Sequence, residues 1–428
     1  MHILLFIFYG IVGGYALTRI PFFRNSGIKP AALLVLFGLR VAAGCLHNVI
    51  AYRYYPNHGD IWLFFNDSFT TRRELFTDFH TFWADNSAWA YLPHNLIEWM
   101  HVLLNFLSFD NLYINTLLFS FLTFAGAIAL FRVFASRFPD DALTAGCVIL
   151  LPSTLFWTAC IHTEGILYTI LGFFFFTLNR LLAGRGVSIR RVLLCLFLFA
   201  LAVFFRPAIL IGLLPATLFW IISEKTPRYT KFLLPAGAAA LLLVLFIPHL
   251  SSSLLQHLSA RQQEFQALTG NSRIYLPGLD STWASFGRVL PRALLNGFFQ
   301  PLPGSGGQAI YGAFAMELGL IWLIIIVAFF RMVFSRSRPS SPLHSGPTLS
   351  QSLPAGRPVP LTAFGISCLL FSILGMLLIG YIIPFVGSIV RYRSLFLPFL
   401  LAPFLHILRQ TGLSSSLNSW LKRNFKKS

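Results

Sequence analysis

The sequence predicts an all-α polytopic membrane protein with about eleven transmembrane helices. Composition gives the first reason: 56% of the 428 residues are hydrophobic, 16% aromatic and only 11% charged, where soluble domains carry about 25% charged residues. Mean hydropathy is correspondingly high, at +0.71. The second reason is the length of the apolar runs, which approach or exceed the ~17–25 residues that cross a bilayer as helix. The third is a missing pattern. The runs lack the ~10-residue alternation of a barrel, so helices must satisfy the backbone groups in lipid.

Taken in order, the spans fall near 3–18, 30–51, 112–134, 142–159, 165–183, 191–205, 207–223, 232–250, 308–330, 361–384 and 395–409. The first run follows Met1 and His2 with neither a basic leader nor a small-residue cleavage site, so it reads as an uncleaved span rather than a signal peptide. Between the sixth and seventh, Arg206-Pro207 forces a tight turn at the membrane surface, because Pro breaks the helix and Arg avoids hydrocarbon.

Charge sets the orientation. About two thirds of the 32 basic residues, every lysine among them, fall in one set of alternate loops and in the tail. By the positive-inside rule that set is cytoplasmic, which puts the N-terminus outside and the C-terminus in the cytoplasm. Acidic residues sort oppositely: Asp140, Asp141 and Glu224 fall inside, Glu317 lies in a span, and seven of the rest lie between residues 52 and 111. The net charge of +18 therefore suits membrane lipids, through a basic tail on anionic headgroups, and no nucleic acid. The expected location is the bacterial inner membrane, with multiple passes.

Organisation follows from these assignments. Residues 1–334 form a transmembrane core with large external loops at 52–111 and 251–307. The stretch 335–360, rich in Ser, Pro and Gly, is a flexible cytoplasmic linker. Residues 361–409 are the final two spans and 410–428 a basic cytoplasmic tail. The five cysteines lie in or at the edge of apolar runs without a CxxC pair, which reads as buried, inert thiols rather than a disulfide framework or zinc site.

Polar residues suited to chemistry gather at three external points. In HGDIWLFFNDSFTTRRE, residues 58–74, Asp60 follows Gly59 soon after the second span, and Asp67 lies seven residues on. If this stretch is helical the two share a face that Glu74 extends, while Arg72 and Arg73 lie off it. Further along, Leu96, Trp99, Met100, Leu103 and Leu104 fall at helical spacing, which suggests an interfacial helix. The second point is the short turn TACIHTEG, where His162 and Glu164 offer a metal or substrate contact; two residues are only half a metal site. The third is VRYR, where Arg391 and Arg393 offer forks matched to phosphate. Arg206 lies at the same depth.

These features resemble the GT-C superfamily of integral-membrane glycosyltransferases, which includes the protein O-mannosyltransferases and the aminoarabinose transferase of lipid A. The likeness lies in the Asp of HGDIWLFFND, the polar short loop PSTLFWTACIHTEG and the arginines of VRYRSLFLP. The resemblance implies a GT-C-like fold with interfacial helices in the first external loop. It also implies transfer of a sugar from a polyprenyl-phosphate donor to a glycan, lipid or protein acceptor outside the cytoplasm. Asp60 would be the base, with Asp67 the second choice, and Arg391, Arg393 and Arg206 would hold the donor phosphate. His162 and Glu164 would contact a divalent metal (Mg or Mn) or the substrate. The Asp-Glu pair of many relatives is absent, since Ile61 follows Asp60.

Three other classes fit the same layout. A polysaccharide polymerase or ligase would use a polyprenyl-diphosphate glycan without metal. A transporter would need charges at mid-membrane, for which only Arg40 and Glu317 offer themselves. A non-catalytic subunit would use the aromatic external loop for docking.

Overall fold

The computed structural model describes residues 1–55, 59–86, 92–139, 141–184, 186, 188–227, 248–304, 309–334, 361–410, 419–420 and 423–424. Among them are eighteen α-helices and no strand; one isolated bridge joins Arg273 and Phe385. Seven helices are long and apolar enough to cross a membrane, or up to nine if each of two bent pairs counts as one span. The chain is a multi-pass helical membrane protein. The stretch expected as a span at 191–205 folds as helix α11, Ile189–Phe205, of 17 residues. The span at 232–250, the linker at 335–360 and nearly all of the basic tail lie outside the described residues.

The helices cluster into two compact units. In the first, the long apolar helices are α1 (His2–Arg19), α3 (Pro30–Tyr54), α7 (Leu112–Arg137) and α10 (Thr163–Ala183). A short α2 (Pro21–Arg24) links α1 to α3. Proline opens α2 and α3, where the first turn needs no N–H donor. The stretch between α3 and α7 folds as α4 (Gly59–Thr77), α5 (Phe79–Asn86) and α6 (Leu92–Ser108). The expected helical stretch after Gly59 is therefore real.

This unit keeps apolar residues outside as well as within. Whole rows of α1 and α11, such as Ile3, Leu4 and Phe8 or Leu193, Leu196 and Phe197, are exposed, as lipid-facing helix surfaces are. Its interior holds Arg40, His47, Asn48, Asn115, Thr116, Ser120, Thr123 and Glu164, all buried. Helix α6 shows the same inversion. Leu103 is 67% exposed and Phe106 and Leu107 are exposed too, while Asn95, His101, Asn105 and Ser108 are buried. Asn105 donates to Ser68 Oγ at 3.0 Å and accepts from Asn115 Nδ2 at 2.6 Å. The apolar stripe foreseen on this helix is its outer and half-buried side, and its polar stripe fastens it to α4 and α7.

The expected single span at 142–159 is broken. Helix α8 (Ala142–Leu150) and α9 (Pro152–Ala159) meet at Leu151 with a bend of 43°. Pro152 has no N–H to continue the α8 ladder. A second break follows at once, because Cys160 and His162 are extended between α9 and α10. The end of α9 is buried, with Thr158 and Ala159 wholly enclosed, so its last carbonyls are out of reach of water. Arg40 supplies the remedy, donating from Nη2 to Thr158 O at 2.6 Å and to Thr158 Oγ1 at 3.0 Å, and from Nε to Thr123 Oγ1 at 3.0 Å. Ser120 Oγ donates to Ala159 O at 2.9 Å.

Two glycine contacts let these elements close up. A Cβ on Gly44 would stand 3.0 Å from Ala159 O, so α3 packs directly on the end of α9. One on Gly172 would stand 2.1 Å from Gly126 O, so α10 crosses α7 backbone to backbone. Small residues at such crossings are the usual basis of close helix packing in lipid.

The second unit contains α12 (Leu210–Lys225), α13 (Pro248–Ala267), α14 (Trp283–Leu294), α15 (Ala309–Phe334), α16 (Ala363–Ile382), α17 (Val386–Arg393) and α18 (Leu397–Gln410), with a π-turn at Leu295–Phe299 after α14. The turn foreseen at Arg206-Pro207 is a 3₁₀ turn over Pro207–Ile209. Acidic residues assigned to the cytoplasmic side hold helix ends here. Asp141 caps α8 through Thr144 N at 3.0 Å and faces His406 Nδ1 at 3.1 Å. Glu224 pairs with Arg137 at 2.5 Å and accepts from Trp220 Nε1 at 3.2 Å.

Lysine at position 40 would keep the charge but lose the fork that serves Thr123 and Thr158 together. Arg40→Lys is expected to lower unfolding stability in detergent by about 1.5–3 kcal/mol, the scale of hydrogen bonds made by a charged group. An unchanged thermal midpoint would remove the capping role.

Candidate functional site: a carboxylate face on helices α4 and α6

Helix α4 starts four residues beyond the end of α3, so its first turn is held near the end of a span. Asp60 lies in that turn, exposed, and Asp67 and Glu74 follow half-buried at seven-residue steps on one face. The opposite side, with Ile61, Phe64, Phe65 and Ser68, is buried. Helix α6 adds two groups that sequence reading left out. Glu98 accepts from Thr71 Oγ1 at 3.1 Å and stands 3.6 Å from His94 Nε2; the His94 ring lies against Phe64 with centroids 4.4 Å apart.

The five groups share one field. Burial pushes the Glu98 carboxyl above its ordinary range; the Thr71 hydroxyl opposes that, and the negative charges of Asp67 and Glu74 add to it. Burial pushes His94 down, against the raising influence of Asp60 and Asp67. The result is a carboxylate face with one member, Glu98, inclined to hold its proton.

Arg72, placed off this face by sequence, does structural work. Its Nη1 and Nη2 donate to Asp110 Oδ1 and Oδ2 at 2.6 and 3.0 Å, and that fork raises its own pKa. Asp110 and Phe109 take left-handed backbone, with φ 61 and 52. The fork thus pins the turn between α6 and α7 onto α4.

At the second point, the extended elbow turns His162 and Glu164 to different partners. Glu164, fully buried in the first turn of α10, pairs through Oε1 with Arg206 Nη2 at 2.6 Å. Two residues expected to meet metal and phosphate are thus joined to each other, with Glu164 at the positive end of the α10 dipole. His162 instead joins His47 and Cys160. Two imidazoles and a thiol do not suit Mg or Mn, which take oxygen ligands. Of the five cysteines read as buried, inert thiols, Cys147, Cys160 and Cys368 are buried and Cys45 and Cys195 half-buried. No disulfide forms among them, but Cys160 belongs to a three-donor group. Sequence spacing concealed it, because His47 is contributed by a distant helix.

The third point divides as well. Arg393 is buried, and its Nη1 donates to Gln300 O and, at 3.4 Å, to Gly297 O. It anchors α17 on the π-turn rather than offering its fork at the surface. Arg391 stays half-buried, with its guanidinium 5.5 Å from the centre of the Tyr392 ring. The loop after α13 docks at the start of α17. Ile274 N donates to Pro384 O at 2.7 Å and Val386 N to Ser272 O at 2.9 Å. Asp60, Asp67, His162, Glu164 and Arg206 belong to the first unit, Arg391 and Arg393 to the second.

No protein-family model, curated protein or solved structure matches the chain.

Because Glu98 holds its proton more tightly in the folded protein than in the unfolded chain, stability from this group is fully present below its ordinary pKa. It is lost as pH rises through the raised folded value. Glu98→Gln mimics the protonated form and can still accept from Thr71. It is expected to raise the thermal midpoint slightly at neutral pH and to flatten the pH dependence of stability in that window. A lower midpoint at neutral pH would mean that the ionised form is the stabilising one.

Proposed function

We propose that the protein is a membrane glycosyltransferase that moves a sugar from a polyprenyl-phosphate donor to an acceptor on the extracytoplasmic face. The observation that carries the reading is the placement of Asp60. It is an exposed carboxylate in the first turn of a helix that begins just beyond a span, on a face it shares with Asp67. A base for a lipid-borne donor must work at membrane level and keep its ionised form accessible to an acceptor.

In this reading Asp60 takes the proton of the acceptor hydroxyl. The acceptor oxygen bonds to the anomeric carbon as the bond to the phosphate oxygen breaks, with inversion, and polyprenyl phosphate leaves with the electron pair. Arg391, whose guanidinium stands 5.5 Å from the centre of the Tyr392 ring, is the residue that the resemblance gives to the donor phosphate. Arg206 contributes through Glu164. The acceptor is a glycan, lipid or protein, and the site faces the outer side of a bacterial inner membrane.

A second enzymatic reading draws support from the donor set at His162. A polymerase or ligase acting on polyprenyl-diphosphate glycans would need no hard divalent ion, and the elbow supplies nitrogen and sulfur rather than oxygen. Chelation separates the two, since transfer that survives removal of Mg and Mn favours the second.

The direct test is sugar transfer from a labelled polyprenyl-phosphate hexose by the purified chain in lipid nanodiscs. Asp60→Asn is expected to reduce transfer at least ~100-fold, the lower range of general base catalysis, with binding of polyprenyl phosphate retained. Arg391→Ala is expected to weaken that binding. Wild-type transfer by Asp60→Asn and Asp67→Asn alike would remove the carboxylate mechanism.

A further inference from the structure

The elbow between α9 and α10 carries chemistry that the transferase reading does not use. His47, Cys160 and His162 are 1%, 0% and 2% exposed. One ligand atom from each lies within 4.8 Å of the other two. We propose that these three side chains bind a zinc ion, joining α3 to the α9–α10 elbow.

The backbone explains how they meet. Side chains at i and i+2 of an extended segment point to the same side. Cys160, with φ −91 and ψ 163, and His162, with φ −142 and ψ 161, therefore face one way. Ile161 goes the other way, into a cluster with Phe64, Ile97 and Phe119. His47 comes from the inner face of α3, about one turn after Gly44. That glycine allows α3 to sit on the Ala159 carbonyl, which brings the imidazole level with the elbow. Arg40 and Ser120 then fix the elbow by holding the carbonyls of Thr158 and Ala159.

The surroundings suit an enclosed ion. Phe156 and Trp157 pack on the His47 ring at 4.8 and 5.1 Å, and the His47 and His162 rings stand edge to face at 5.3 Å. Thiolate with imidazole selects zinc over Mg or Mn. Tetrahedral zinc holds its donors ~2.0–2.3 Å away and hence about 3.3–3.8 Å apart, so the side chains must draw in by about an ångström. Cys160 Sγ now donates toward Phe156 O and Trp157 O at 3.8 and 3.6 Å. On binding, the thiol proton leaves to solvent and sulfur bonds to the metal as thiolate. Three protein donors leave the fourth position to water or to an oxygen of a bound molecule.

The proposal stands apart from the transferase reading, so its test reads metal rather than sugar transfer. The full chain, purified in detergent without a polyhistidine tag and washed with a weak chelator, is expected to retain about one zinc per chain by elemental analysis. Cobalt put in place of zinc is expected to show a thiolate charge-transfer band. His47→Ala, Cys160→Ser and His162→Ala should each lower bound zinc by roughly tenfold or more, with Cys160→Ser abolishing the cobalt band. Monodisperse elution shows which variants fold; if none does, the cobalt band of the wild-type chain decides alone. A wild-type chain that neither retains zinc nor gives a sulfur band with cobalt would overturn the site. So would folded variants that keep their zinc.

Discussion

A helix end buried away from water must give its last carbonyls to other donors, and here Thr158 O goes to a guanidinium and Ala159 O to the Ser120 hydroxyl. Arg40 holds Thr158 at both its carbonyl and its hydroxyl through Nη2 and reaches Thr123 through Nε. The cation also faces the negative end of the α9 dipole. With that end satisfied, the chain can bend through Cys160, Ile161 and His162 and restart as α10. Much of the first unit's interior depends on this break, including the buried pair of Glu164 with Arg206 and the meeting of His47 with Cys160. A charge inside a span is costly, and this one is spent on backbone that would otherwise be stranded. It therefore gives no support to a transport pathway through Arg40.

Helices α4 and α6 combine both kinds of contact. They meet the rest of the first unit through Asn95, His101, Asn105 and Ser68 together with Ile61, Phe64, Phe65 and Ile97, while Leu103, Phe106 and Leu107 look outward, as expected where the surroundings are apolar. This arrangement also leaves the acidic face of α4 as the prominent accessible polar feature of these helices.

Much of this was legible in the sequence. Hydropathy located the long helices, since burial in lipid demands continuous apolar length. The seven-residue steps from Asp60 to Glu74 made sense only as a helix. Arg206-Pro207 could be little else than a turn. What stayed hidden depends on contacts far apart in the chain. Glu98 read as one more loop acid until Thr71 and the charges of α4 surrounded it. Arg391 and Arg393 looked alike, two residues apart, yet a helix sends them to different sides, and Arg393 finds Gly297 and Gln300. Cys160 and His47 gave no local signal, because the geometry that unites them is made by Gly44, Pro152 and Arg40. The bend at Leu151 was foreshadowed only by Pro152.

The contact of Gly126 with Gly172 limits how the first unit can move. Where the α7 carbonyl touches the α10 backbone, no side chain lies between them to change rotamer and absorb a shift. Sliding or rolling at that point would drive main chain into main chain. The freedom left to the pair is a scissor motion about a fixed pivot, with the blades opening at the helix ends. One of those ends is the elbow, so a rearrangement there would be levered through two glycines that take no part in any chemistry themselves.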